Sequence, residues 1–240
     1  MIIGNGMMAK AFKYYNNKEV VIFASGVSNS LEEREECFER EKKILFEAIE
    51  MNRTIVYFST CSIYDETVND SKYVHHKLYM EYLIKKRCNK FYIFRLPQVV
   101  GRTNSPTLIN FLYNQINDNK TIDVNRYSTR NIISVRTVFE FSQYMIDNEI
   151  YINEITNIAT PYNTSVIDII SIMEETLNKK SFVRMLNKGK IQNIDVSKIK
   201  KLSVYKKSIT SDYVKKIISQ YIKIEVYLVI IQVHGIGVSL

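Results

Sequence analysis

Residues 54–88 read TIVYFSTCSIYDETVNDSKYVHHKLYMEYLIKKRC. The first seven form an apolar run, rich in β-branched and aromatic residues, that ends in hydroxyls. That is the pattern of a strand buried on both faces. Residues 71–88 follow as a helix, with Val74, Leu78, Tyr82 and Leu83 along one stripe. Tyr73 and Lys77 are four apart on it, so their side chains share a face, about 5–6 Å apart at Cβ. A free phenol ionises near pH ~10 and is a poor acid at neutral pH. A neighbouring ammonium stabilises the phenolate and brings proton transfer into range. Taken alone, Tyr and Lys at this spacing are most often an ordinary surface pair.

The segments on either side repeat the alternation. Met1–Ile3 reads as a buried strand that runs into Gly4-Asn5-Gly6 and a helix over 7–15. VVIFAS (20–25) and FYIFRLP (91–97) are further buried strands. Residues 28–52 form a helix with a Ser/Asn start, acidic first turns, and Phe38, Ile44, Leu45, Ala48 and Ile49 at helical spacing. Continuously apolar strands alternating with helices predict an α/β fold, a parallel sheet covered on both faces. Beyond Gly101 the pattern loosens. Helices are expected over 106–118, 137–148, 165–178 (Ser165 as N-cap) and 211–222, and strands over 131–135 and 154–160.

At 240 residues, 46% hydrophobic, the chain is one domain of generous size or a domain with a small lobe. The three cysteines, Cys37, Cys61 and Cys88, are odd in number and match no metal or disulfide spacing, which fits a reducing cytoplasm. No apolar run approaches the ~20 residues of a membrane span, and the N-terminus lacks a signal pattern. The net charge of +8 suits an anionic partner. Its concentration in the last quarter also fits a solvated Lys-rich face. His75 and His76 are adjacent and point to different helix faces, so they form no metal pair.

Thr60 falls at the C-terminal end of its strand, where open parallel sheets place ligands. Gly4-x-Gly6-x-x-Ala9 before a helix can hold a pyrophosphate on backbone N–H groups. With VVIFASG, VYFSTCSIYD, YVHHK, FRLPQVVG, STRNIISVRTVFEF, ITNIATPYNTSVIDIISIMEE and DVSKIKKL in this order, the chain resembles the extended short-chain dehydrogenase/reductases that act on nucleotide sugars. The resemblance runs to about residue 223. It implies a shortened Rossmann-like doubly wound sheet with a small C-terminal α/β substrate lobe. Residues 1–101 and part of 102–160 would form the dinucleotide-binding domain, and the rest of 102–223 the lobe. The segment 224–240 has no counterpart and is expected to be packed, as an edge strand or an interface cover.

The resemblance also implies roles. Thr60, Tyr73 and Lys77 would be catalytic. Gly4, Asn5, Gly6, Met7, Met8, Ala24, Ser25, Gly26, Leu96 and Pro97 would join Tyr73 and Lys77 in binding NAD or NADP. Thr60, Gln98 and Arg130 would meet the nucleotide-sugar substrate, with Arg130 on its pyrophosphate. No metal and no membrane are implied, and the cytoplasm is the expected setting. A homodimer is implied through two helices per subunit. The Phe38/Leu45 and Leu78/Tyr82 stripes read either as core or as that interface.

Two departures stand out. Only residues 16–19 separate the first helix from VVIFAS, where the family places two further strands and an acidic residue on the adenosine ribose. NAD and NADP are therefore not distinguished. Cys61 and Ser62 replace the Asp-Glu pair of sugar 4,6-dehydratases, which argues against water elimination. The expected activity is reduction of a 4-keto sugar nucleotide in surface polysaccharide biosynthesis. A 4-epimerase with retained NAD is the first alternative. A non-catalytic, RNA-binding dinucleotide fold is the second, and the Thr/Tyr/Lys set weighs against it.

Overall fold

The computed structural model describes residues 1–103, 107–189 and 191–234, the side chains of 206 and 228–234 excepted. In its first half, strands and helices alternate: β1 (Ile2–Ile3), α1 (Met7–Ala11), β2 (Val20–Phe23), α2 (Glu35–Ile49), β3 (Thr54–Thr60), α3 (Lys72–Arg87) and β4 (Phe91–Leu96). A 3-10 turn over Cys61–Tyr64 joins β3 to the loop before α3. The second half continues with β5 (Gln98–Val100), α4 (Leu108–Asn117), β6 (Thr121–Asn125), β7 (Thr129–Arg130), β8 (Ile132–Ser134), α5 (Val135–Asp147) and β9 (Glu154–Asn157). It closes with β10 (Thr164–Ser165), α6 (Val166–Leu177), β11 (Phe182–Leu186), the short α7 (Ser197–Lys200) and α8 (Tyr205–Ser208), and α9 (Tyr213–His234).

The central sheet has the order β1-β2-β3-β4-β9, parallel throughout. β2, β3 and β4 read as long apolar runs because both faces are covered. Val20, Ile22, Val56, Phe58, Tyr92 and Phe94 point into one core with Phe12 beyond α1 and Phe141 and Met145 of α5. The alternate residues Val21, Phe23, Ile55, Tyr57, Phe91 and Ile93 point into the other, with Leu45 and Ala48 of α2 and Met80, Leu83 and Ile84 of α3. The parallel sheet and two-sided cover match the expected Rossmann-like class.

Residues 12–19 alone connect α1 to β2, and β2 pairs directly with β1, Ile2 opposite Ile22. β1 is therefore the sheet edge, and its two residues are half-buried rather than buried as expected. A further consequence concerns handedness. The β1-α1-β2 and β2-α2-β3 crossovers step the same way along the sheet, yet α1 and α2 lie on opposite faces. The two connections thus have opposite hands, where such crossovers are right-handed in about 98% of cases.

Several expectations are corrected. α1 ends at Ala11. α2 begins at Glu35, because Asn29 closes a turn first, its Oδ1 accepting from Leu31 N–H at 3.1 Å. Leu78 and Tyr82 are 39% and 49% exposed, so their stripe is not core. Among the described residues no edge strand forms after residue 223, since α9 runs on as helix to His234 and packs Val226 against the larger core. Residues 235–240 of the expected tail lie outside the described residues.

Beyond the sheet, three two-stranded pairs flank the C-terminal ends of its strands: β5 with β8, β7 with β10, and β6 with β11. Ser165 caps α6 as expected, its Oγ accepting from Asp168 N–H at 3.0 Å. Among the described residues no helix is long and apolar enough to cross a membrane.

Candidate cofactor and substrate cleft

A cleft of about 480 Å³ opens over the C-terminal ends of β1 to β4. Its lining includes Asn5–Met8 after β1, Ala24–Gly26 after β2, Thr60 at the end of β3, Tyr73 and Lys77 of α3, and Leu96–Gln98 after β4. A second hollow of about 530 Å³ lies at the opposite ends of the strands, lined by Asn17, Arg53, Asn89 and Lys90 among others. None of the expected site residues reaches it.

The turn after β1 depends on Gly4. Its φ is +125°, and a Cβ there would stand 2.3 Å from the Ala24 carbonyl oxygen. Gly4 itself does not line the cleft; it lets the turn approach β2 closely. A Cβ on Gly6 would meet nothing within 4 Å, so the approach to the first N–H groups of α1 is open.

Tyr73 reaches the cleft because Ser71 starts α3, its Oγ accepting from Val74 N–H at 3.3 Å. The i, i+4 spacing then places Lys77 on the same side, with Nζ 5.9 Å from the Tyr73 ring centre. Thr60 Oγ1 donates to Ser62 Oγ at 2.9 Å and accepts from Ser62 N–H at 3.0 Å. Rotation of these two hydroxyls can turn an O–H towards a bound oxygen. Cys61 is buried in the turn, and burial pushes its thiol pKa up, away from reactivity.

Like Gly4, Arg130 is an expected residue that the cleft does not take in. It sits on β7, and its Nη1 donates to the Thr129 carbonyl at 2.8 Å. Burial would raise the Asp65 carboxyl, but hydrogen bonds from Thr67 and Gln192, with a smaller effect of the Arg130 charge, hold it below the usual range.

Other residues beside the cleft were missed. Glu41 of α2 is fully buried beneath Lys77, with Nζ donating to Oε1 at 3.0 Å. The sequence signal was there: Phe38, Glu41, Leu45 and Ala48 fall on one helical stripe, an acid among apolar residues. His76 is buried, with Nε2 3.1 Å from Glu41 Oε2. His75 is exposed and pairs with Asp70. Arg40, Ser28, Ser30, Thr103 and Thr107 also line the cleft. Beneath Thr60, Arg95 clasps the buried Glu81 through Nε and Nη2 at 2.8 and 2.6 Å, and Ser59 donates to the same carboxylate at 2.6 Å. Among the described residues no group of three or more His, Cys, Asp or Glu could hold a metal ion.

No protein-family model and no curated protein sequence matches the chain. Solved structures do. UDP-N-acetylglucosamine 4-epimerase from Methanobrevibacter ruminantium, in complex with UDP-N-acetylmuramic acid, superposes with a TM-score of 0.69 at 18% identity, covering 95% of this chain and 83% of that one. UDP-glucuronic acid 4-epimerase from Bacillus cereus, in complex with NAD, gives 0.67 at 20%, covering 89% and 75%. RMD from Pseudomonas aeruginosa, complexed with NADPH, gives 0.68 at 13%, covering 88% and 84%. The chain shares the fold of these three structures. Within that fold its cleft lies where open parallel sheets bind their ligands.

Proposed function

We propose that the chain is a NAD(P)-dependent nucleotide-sugar oxidoreductase that reduces a 4-keto sugar nucleotide. The observation that supports this most is the meeting of Thr60, Tyr73 and Lys77 with the Asn5–Met8 turn and Ala24–Gly26 in one cleft. The pyrophosphate and nicotinamide halves of a dinucleotide fit these residues: the glycine turn is open, and Lys77 stands under Gly26. The adenosine half lacks the usual second strand and its acidic residue. A bound nicotinamide dinucleotide would supply the hydride. Tyr73 gives its phenolic proton to the substrate oxygen as the carbon is reduced. Lys77 supports the developing phenolate and reaches the nicotinamide ribose hydroxyls. Thr60 orients the substrate carbonyl, and Gln98 lies on the substrate side. Leu78, Tyr79 and Tyr82, exposed on α3, would form the face of a homodimer.

The test is a screen of nucleotide-linked 4-keto sugars for oxidation of NADH and NADPH. Tyr73→Phe should lower turnover by about 10²–10⁴-fold while leaving NADH affinity nearly unchanged. Full activity in that variant would refute the mechanism. Similarity in fold to two 4-epimerases supports a second reading, 4-epimerisation. An epimerase would carry NAD through purification and turn over without consuming NADH; a reductase would consume it one for one.

A further inference from the structure

Glu41, Tyr57, His76 and Lys77 form a buried cluster of which the reaction above uses only Lys77. Glu41 Oε1 accepts from Lys77 Nζ at 3.0 Å and from Tyr57 Oη at 2.7 Å. Oε2 accepts from Val27 N–H at 2.6 Å and lies 3.1 Å from His76 Nε2. Lys77 Nζ also donates to Tyr57 Oη at 3.1 Å. The Glu41 side chain is fully buried and that of Lys77 is 3% exposed. Burial by itself would raise the Glu41 pKa, but the Lys77 charge, His76 and the Val27 N–H more than reverse this and keep the carboxylate ionised. Stability alone does not call for such a pair, since well-packed apolar residues commonly replace one without loss.

We propose that Glu41 is a positioning residue for the reaction, clamping Lys77 Nζ in one place beneath the cofactor site. An ammonium has three N–H donors. Glu41 and Tyr57 take two, which leaves one for the cleft. The other groups facing Nζ are few. From α2, Arg40 lies at the rim, where it donates to the Ser25 carbonyl. From α3 come Tyr73, His76 and Glu81, the last paired with Arg95 of β4. The end of β2 contributes only the backbone of Gly26 and Val27. Without the Glu41 carboxylate, Nζ loses the partner that fixes its place under Gly26.

The proposal rests on the assignment of Lys77 to the cofactor, so the test reads cofactor binding directly. NADH and NADPH binding is followed by fluorescence. Glu41→Gln, which keeps the size and one acceptor, should bind about tenfold more weakly than wild type. Lys77→Ala should bind weakly, and adding Glu41→Gln to it should weaken binding little further, because Glu41 acts through Lys77. A Glu41→Gln affinity equal to wild type, or a double variant weakened by the full product of the two single effects, would overturn the Glu41 role and leave the cofactor site standing. Wild-type protein that binds neither dinucleotide, or Lys77→Ala that binds as wild type, would overturn both. If circular dichroism shows that Glu41→Gln does not fold, Tyr57→Phe carries the same test, because it keeps the ring and removes only the hydroxyl between the two charges. It should show a smaller weakening, and an unchanged affinity would again overturn the role.

Discussion

Gly26→Ala adds one methyl group between the end of β2 and the Glu41–Lys77 pair. Its Cβ would stand 2.7 Å from Lys77 Nζ, 3.0 Å from Glu41 Oε1 and 3.4 Å from Glu41 Cδ. Ordinary contact begins at 3.4 Å, so Nζ must retreat by about 0.7 Å. Glu41 has little room to follow, because Val27 N–H and Tyr57 Oη hold its two oxygens. The strain falls on Lys77, whose ammonium must leave the position, 5.9 Å from the Tyr73 ring centre, that the proposed mechanism gives it. Overpacking of this kind costs about 1–3 kcal/mol of stability, or roughly 2–12 °C in Tm for a chain of this size. Misplacement approaching ~1 Å in a positioning group costs up to about 100-fold in rate, close to ~2.7 kcal/mol. The assay pairs thermal melting with kcat/KM on the sugar found in the NADH and NADPH screen. A variant with wild-type Tm and wild-type rate would refute the contact. A lowered Tm with an unchanged rate would keep the packing argument and refute the positioning of Lys77.

Gly4→Ala should weaken dinucleotide binding and lower Tm together, because its Cβ meets backbone at 2.3 Å and its φ of +125° strains any L side chain; an unchanged melting curve would contradict the turn geometry. Glu81→Ala leaves Arg95, with a side chain only 15% exposed, without its carboxylate. Urea denaturation should show a loss of about 3–5 kcal/mol, and a loss below ~1 kcal/mol would mean the pair is not closed in solution. The depressed Glu41 carboxyl contributes stability that is present above its unfolded pKa of about 4.3 and is lost as pH falls below it. Urea stability should therefore decline more gently between about pH 5 and pH 2 in Glu41→Gln than in the wild type, and identical slopes would count against an ionised Glu41. Leu78→Glu should turn a dimer into a monomer in sedimentation velocity with little change in Tm; a sedimentation coefficient that does not move would rule out that face as the interface.

The strands and the core helices were legible because their signals are local. A run such as Val20–Phe23 is apolar at every position only if both faces of its strand are covered, and the two cores divide it residue by residue. Tyr73 and Lys77 were legible for the same reason: a helical period puts them on one face whatever lies opposite. The helix limits moved where turns compete with propensity, as at Asn29 before α2.

The amino-acid sequence by itself determined the α/β class, the glycine turn, and the spacing of Thr60, Tyr73 and Lys77, since each follows from chain geometry over a few residues. Only the tertiary structure decided what those faces meet. Glu41 and Lys77 are separated by 36 positions, and nothing local says that an acid on one helix will close on an ammonium of the next. The same holds for His76, buried against Glu41 while its neighbour His75 is exposed, and for Arg130, which belongs to the right segment yet lies off the cleft wall. The shortened N-terminal link was visible in the sequence. That it leaves β1 as an exposed edge and gives two successive crossovers opposite hands became visible only when the strands were paired. Periodicity specifies the side of an element on which a residue lies. Pairing and crossover, which act between distant parts of the chain, specify its partner.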